Sequence, residues 1–167
     1  ANLKSKSLLH EEGICAVSEA DLAELIRSSG YFRQKAKKLK LFVSYLKAQG
    51  GMGALSEWKT TQLRESLLQQ HGIGPETADS MMLYAFHRPV FVIDTYTQRI
   101  FTRLGIVPHQ QDYHGWQDLF MKHLPSSETL FNEYHALIVK HAKESCVKRV
   151  PFCFTCPIQR DCDFVTH

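Results

Sequence analysis

Four of the five cysteines crowd into one short stretch, Cys146, Cys153, Cys156 and Cys162, with the spacing C-x6-C-x2-C-x5-C. Thiolates are soft ligands, so four together imply zinc or an iron-sulfur cluster. Structural zinc usually takes its cysteines as two close pairs. Here only Cys153 and Cys156 are close, and a single loop suits wrapping around a cubane; the spacing differs from the bacterial ferredoxin run. A second chemical group is the lone carboxylate Asp94, which follows the apolar run 90–93 and precedes a helical pattern over 95–104. Its ordinary reading is a helix N-cap, but a carboxylate held there can also do acid-base or electrostatic work.

The elements that must position these groups start with His71-Gly72-Ile73-Gly74-Pro75. Residues 61–69 carry Leu63, Leu67 and Leu68 at helical spacing, and the two glycines then break the helix. Pro75 fits the first turn of a new helix over 75–86, with Ala78, Met81, Met82 and Ala85 inward. The result is a hairpin between two helices. Bare amides around Gly72 and Gly74, beside a helix N-terminus, can hold a phosphate.

Before the hairpin, residues 2–10 read as a helix ended by Gly13, and Ser18 with Asp21 reads as a helix cap before Leu22, Leu25 and Ile26. Cys15 reads as a small buried apolar residue. Residues 28–40 are a turn feeding a basic helix, whose apolar stripe is Ala36, Leu39, Phe42, Val43 and Leu46. Arg33, Lys35, Lys37, Lys38 and Lys40 then lie outside, as a solvated face or a phosphate-facing one. Residues 49–53 read as a flexible connector.

After Asp94, Ile100, Phe101 and Leu104 point inward, Gln98, Arg99 and Arg103 are available to reach a backbone or an acidic partner, and Gly105 is a C-cap. His109, His114 and His123 lack a ligand pair on one helical face, so they read as surface or core residues. A last helix over 129–145 places Leu130, Tyr134, Leu137, Ile138 and His141 along one side, with Lys143 near its end.

The chain of 167 residues can bury a sizeable core, as one domain or two small lobes. A net charge of +3 permits nucleic-acid binding without arguing for it. No apolar run approaches bilayer length, so no membrane partner is expected, and no secretory leader opens the sequence. The expectation is a soluble cytoplasmic protein whose cysteines bind metal.

The hairpin, the Arg88-Pro89 turn leading to Asp94, and above all the cysteine spacing resemble the helix-hairpin-helix DNA glycosylase superfamily typified by endonuclease III, from about residue 29 to 162. That resemblance implies an all-α fold: a helical barrel domain over 1–124, with the helix-hairpin-helix at about 61–86, and an iron-sulfur lobe over 125–167. The family's N-terminal helices have no counterpart in the chain. It further implies a [4Fe-4S] cluster on Cys146, Cys153, Cys156 and Cys162, Asp94 as the catalytic carboxylate, and DNA contacts from Gly72, Ile73, Gly74, Thr77, Arg33, Lys35, Lys148 and Arg149.

The implied partner is double-stranded DNA with a damaged or mismatched base, bound by a monomer associated with a bacterial or archaeal nucleoid. Where lyase members carry an attacking lysine this chain has Glu76, which cannot form a Schiff base. The expectation is therefore a monofunctional base-excision-repair glycosylase. Glu76, the Tyr-Phe-Arg-Gln-Lys-Ala-Lys stretch and residues 135–143 are similar to the 3-methyladenine glycosylase branch, which points to an alkylated purine. Tyr31, Phe32, Tyr84 and Tyr134 are candidates to line its pocket, or plain core. Removal of a mismatched adenine or thymine, a bifunctional glycosylase/AP lyase, and a non-catalytic DNA-binding module remain as alternatives.

Overall fold

The computed structural model describes residues 2–165, and all of their regular structure is helical. The chain divides into two compact units, Ala1–Gly74 and Pro75–His167. The first contains α1 (Asn2–Ser5), α2 (Glu11–Ala16), α3 (Glu19–Leu25), α4 (Phe32–Ala48), α5 (Gly51–Ser56) and α6 (Thr60–Leu68). The second contains α7 (Pro75–Tyr84), α8 (Thr95–Arg103), α9 (Tyr113–His123) and α10 (Glu128–Glu144), followed by three single 3-10 turns.

In the first unit, α2, α3 and α4 close a small core of Ile14, Leu22, Ala23, Ala36 and Val43, with Cys15 half-buried against it. Ser18 caps α3, its Oγ accepting from the Asp21 amide at 3.0 Å. Two expectations fail here. Gly13 does not end a helix but lies buried inside α2, and the glycine run at 50–53 opens α5 instead of forming a connector. On α4, Ala36, Val43 and Leu46 are buried as expected, but Leu39 and Phe42 are only half-buried, and Tyr45 joins the core with its hydroxyl on Ser66 at 2.8 Å. Lys40 is not solvated. Its Nζ donates to Cys15 O at 2.9 Å and to Val17 O.

The core of the second unit is built largely from rings. Phe91 stacks on Phe120 at 4.2 Å between centroids and meets Phe131 edge-on at 5.3 Å, with Phe101, Trp116 and Ile138 filling around them. This core draws on α8, α9, α10 and the run 90–93, so it crosses the 124/125 boundary expected from the sequence. The buried face of α7 is Ala78, Asp79, Met82 and Leu83; Ala85 is exposed. The face of α10 is also rotated from expectation. Phe131, His135, Ile138 and Ala142 are buried, whereas Leu137 is exposed and His141 only half-buried.

Candidate active site and cysteine loop

Asp94 is delivered by a rigid approach. Val90, Phe91, Val92 and Ile93 are all buried, and an extended run in the core needs partners for its polar groups. α9 supplies them, and Asp79 of α7 holds the α9 donors in place. Gln117 Nε2 donates to Phe91 O at 2.8 Å and to Asp79 Oδ2 at 2.8 Å, and Tyr113 Oη donates to the same Asp79 oxygen at 2.8 Å. Asp79 is fully buried, so this frame is fixed from both sides. An acidic residue one turn before Leu83 on an apolar helix face was the available signal for it.

At the end of that run Asp94 caps α8. Its Oδ1 accepts from the Thr97 amide at 2.7 Å and from Thr97 Oγ1 at 2.9 Å, while Oδ2 faces Nε2 of His135 at 3.6 Å. The side chain retains 13% exposure, so a reactant can reach it. Burial pushes its carboxyl pKa up, but His135 and the two Thr97 donors outweigh that and hold it below the ordinary carboxylate value. Glu76, exposed at the start of α7, is pushed the other way by desolvation and by the Asp94 charge. Tyr84 is also raised, by burial first and then by Asp94. The Asp94 carboxyl is thus shifted toward its anion, and the two groups beside it are shifted toward their protonated forms. The cap reading of Asp94 holds, since Oδ1 caps α8, and Oδ2 is left unused by Thr97.

The hairpin loop belongs to the first unit up to Gly74. Gly72 adopts φ 81°, and a Cβ there would lie 2.5 Å from Lys38 Cε, so the basic helix α4 lays a lysine stem directly across the glycine. The Ile73 amide is taken by Gln70 O at 3.1 Å, which leaves fewer bare amides than the sequence implied. Arg33 is exposed, and Lys35 is exposed with Nζ on Ser29 O at 2.5 Å. Thr77, Lys148 and Arg149 are exposed as well.

All four C-terminal cysteines are unpaired and half-buried, and they line one apolar pocket together with Ile100, Leu104 and His141. No group of three metal-ligating side chains converges as a ready site for one ion among the described residues. The donor set nonetheless fits a larger anionic group: four thiols face one apolar cavity, and Arg103 Nη1 donates to Cys146 Sγ at 3.0 Å. His141, which the sequence placed on the apolar stripe, stands with Nε2 3.7 Å from Cys156 Sγ, and burial lowers its pKa. Arg99 and Arg103, read from the sequence as available to a backbone or an acidic partner, reach the chain's own backbone. Arg99 donates to the carbonyls of Ala142 and Cys146, and Arg103 to those of Val147 and Lys148, which ties the loop to α8. Gly105, just past α8 with φ 78°, leaves room for the Asp163 carboxylate.

Residues 1–126 match the family model of the HhH-GPD superfamily base excision DNA repair proteins, and the chain belongs to that superfamily. It is similar to a candidate DNA repair glycosylase of Methanocaldococcus jannaschii, at 42% identity over 164 residues, 96% of this chain and 74% of the relative. Endonuclease III of Sulfolobus acidocaldarius is 30% identical over 143 residues, 86% of this chain but only 62% of that protein. Among solved structures, a 3-methyladenine DNA glycosylase of H. pylori (MagIII) bound to 1,N6-ethenoadenine superimposes with a TM-score of 0.76 at 30% identity, covering 88% of this chain and 75% of that one. The all-helical fold and the glycosylase superfamily expected from the motifs are therefore correct.

Proposed function

We propose that the protein is a monofunctional DNA glycosylase that hydrolyses the N-glycosidic bond of an alkylated purine in double-stranded DNA. The observation that carries this reading is the electrostatic setting of Asp94: its ionisable neighbour at the start of α7 is the carboxyl group of Glu76, where an attacking amine would otherwise stand. The H. pylori relative, solved with an ethenoadenine, supports a purine substrate.

The chemistry follows from an anion that is partly shielded from water. A base flipped out of the stack leaves with the C–N bonding pair, and the Asp94 carboxylate stabilises the positive charge that develops on the sugar. Water then attacks the sugar carbon, Asp94 accepts its proton, and an abasic site remains uncut. An alkylated purine carries positive charge already, so it needs little acid assistance. In the first unit Gly72, Ile73 and Gly74 would present the hairpin backbone to phosphate, with Arg33 and Lys35 as exposed basic groups; in the second, Thr77, Lys148 and Arg149 are exposed for phosphate contacts of their own. Cys146, Cys153, Cys156 and Cys162 would hold a [4Fe-4S] cluster, which supplies structural cross-linking of the loop.

The test incubates the protein with duplexes carrying one alkylated adenine, one mismatched base or one oxidised pyrimidine, resolved with and without hot alkali. Strand cleavage only after alkali, and lost by about 10²-fold or more in Asp94→Asn, is the expected result. Scission without alkali would overturn the monofunctional reading. Salt-sensitive binding with no base release would favour a non-catalytic module.

A further inference from the structure

We propose that His135, held by Tyr84, is a positioning residue that keeps the Asp94 carboxylate oriented and ionised for base release. The inference rests on the glycosylase reading for its purpose, but on geometry for its substance. His135 projects from α10 into the interior at 8% exposure. Its Nε2 is buried with no hydrogen-bond partner, and it faces the one Asp94 oxygen that Thr97 leaves unused, at 3.6 Å. Its other nitrogen, Nδ1, lies 2.5 Å from Tyr84 Oη on α7.

A buried imidazole nitrogen without a partner costs stability unless something compensates it. The Tyr84 contact explains the arrangement. A phenol donates its O–H at neutral pH, and Tyr84 is pushed toward keeping that proton by burial and by Asp94. If Nδ1 accepts from Tyr84, the imidazole proton must sit on Nε2, aimed at Asp94 Oδ2. The gap of 3.6 Å is a hydrogen bond waiting to close, as such bonds tighten when a substrate completes the site. The charged and titratable groups facing His135 are Glu76 and Tyr84 from α7 and Asp94 from the cap of α8. Three helices thus converge on one ring, and only its Nε2–H points at the reactive oxygen. Tyr84 is 42% exposed, so removing its hydroxyl disturbs little packing.

The experiment uses the full chain. The Asp94 side-chain carboxyl is followed by 13C NMR against pH in wild type, Tyr84→Phe, His135→Phe and His135→Gln, without DNA; single-turnover base release is then measured across pH. The midpoint of the Asp94 titration should rise by about one unit in His135→Phe and by less in Tyr84→Phe, while His135→Gln, which keeps an N–H donor, stays nearer wild type. The acid limb of the rate profile should move up in parallel, with base release slowed about ten-fold in His135→Phe near its foot.

Unchanged Asp94 midpoints in Tyr84→Phe and in folded His135→Phe would overturn the proposal, as would a loss of rate equal at every pH. Should His135→Phe fail to fold, Tyr84→Phe decides the matter by itself. A wild type that releases no base from any duplex, while its Asp94 midpoint still shifts in the variants, would sustain the positioning and overturn only the glycosylase reading.

Discussion

The approach to Asp94 and the cysteine loop are both tied to α8, one at each end, yet they are held in opposite ways. Residues 90–93 are buried without a break and locked by stacked rings and the Asp79 frame. From 143 to 165 no residue is buried, and the loop is held by arginine hydrogen bonds and by turns. Packing and a buried hydrogen-bond frame together specify the first region. The second has few apolar contacts to offset the entropy of ordering it, and the proposed cluster would supply the missing cross-link.

The largest expected effect breaks the loop alone. Cys156→Ala should abolish the visible absorbance of the proposed cluster and expose the chain beyond residue 145 to rapid proteolysis, while the near-ultraviolet circular dichroism of the ring core stays. A colourless wild type with a protease-resistant loop would remove the need for a ligand.

A smaller effect, of opposite kind, comes from a pair of phenylalanines. Phe131 is fully buried against Phe91, so Phe131→Ala should cost about 3–5 kcal/mol in urea unfolding. Phe154, at the tip of the loop, is 95% exposed, and Phe154→Ala should stay within about 0.5 kcal/mol. Comparable costs at the two positions would mean that the loop tip packs on something in solution.

The same contrast explains what could be read from the sequence. The hairpin, the Ser18 cap, the Asp94 cap and Gly105 depend on a few adjacent residues, and each lies where the sequence puts it. The cysteine spacing likewise led to one shared cavity. What the sequence hid depends on distant partners. Lys40 reads as solvated until its acceptors on Cys15 and Val17 are known, and for Arg99 and Arg103 the choice between a backbone and an acidic partner stays open until the loop folds back over them. On α10, apolar residues occur on two faces, so the period alone favoured Leu137 over Phe131 and hid His135 within the buried face.

The smallest effect separates the two carboxylates near the site by sign. Asp94 has its folded pKa held below the ordinary value, so its ionised form adds stability at neutral pH, and that contribution is lost only as pH falls through the lowered value. Glu76 is raised by desolvation and by Asp94, so its charge costs stability at neutral pH, and the cost fades as pH falls through the raised value, earlier on the same descent. Unfolding free energies of wild type, Asp94→Asn, Glu76→Gln and the double variant from about pH 7 to about pH 3 resolve this, since the double variant separates each carboxylate's own term from the coupling between them. Glu76→Gln should be the more stable protein at neutral pH and meet wild type first. Asp94→Asn should be the less stable one and meet it last. Asn can still cap α8, so the second difference reports the charge and not the loss of the cap. Convergence in the reverse order would mean that Asp94 is not the ionised partner of the pair, and base release would then need its anion from another residue.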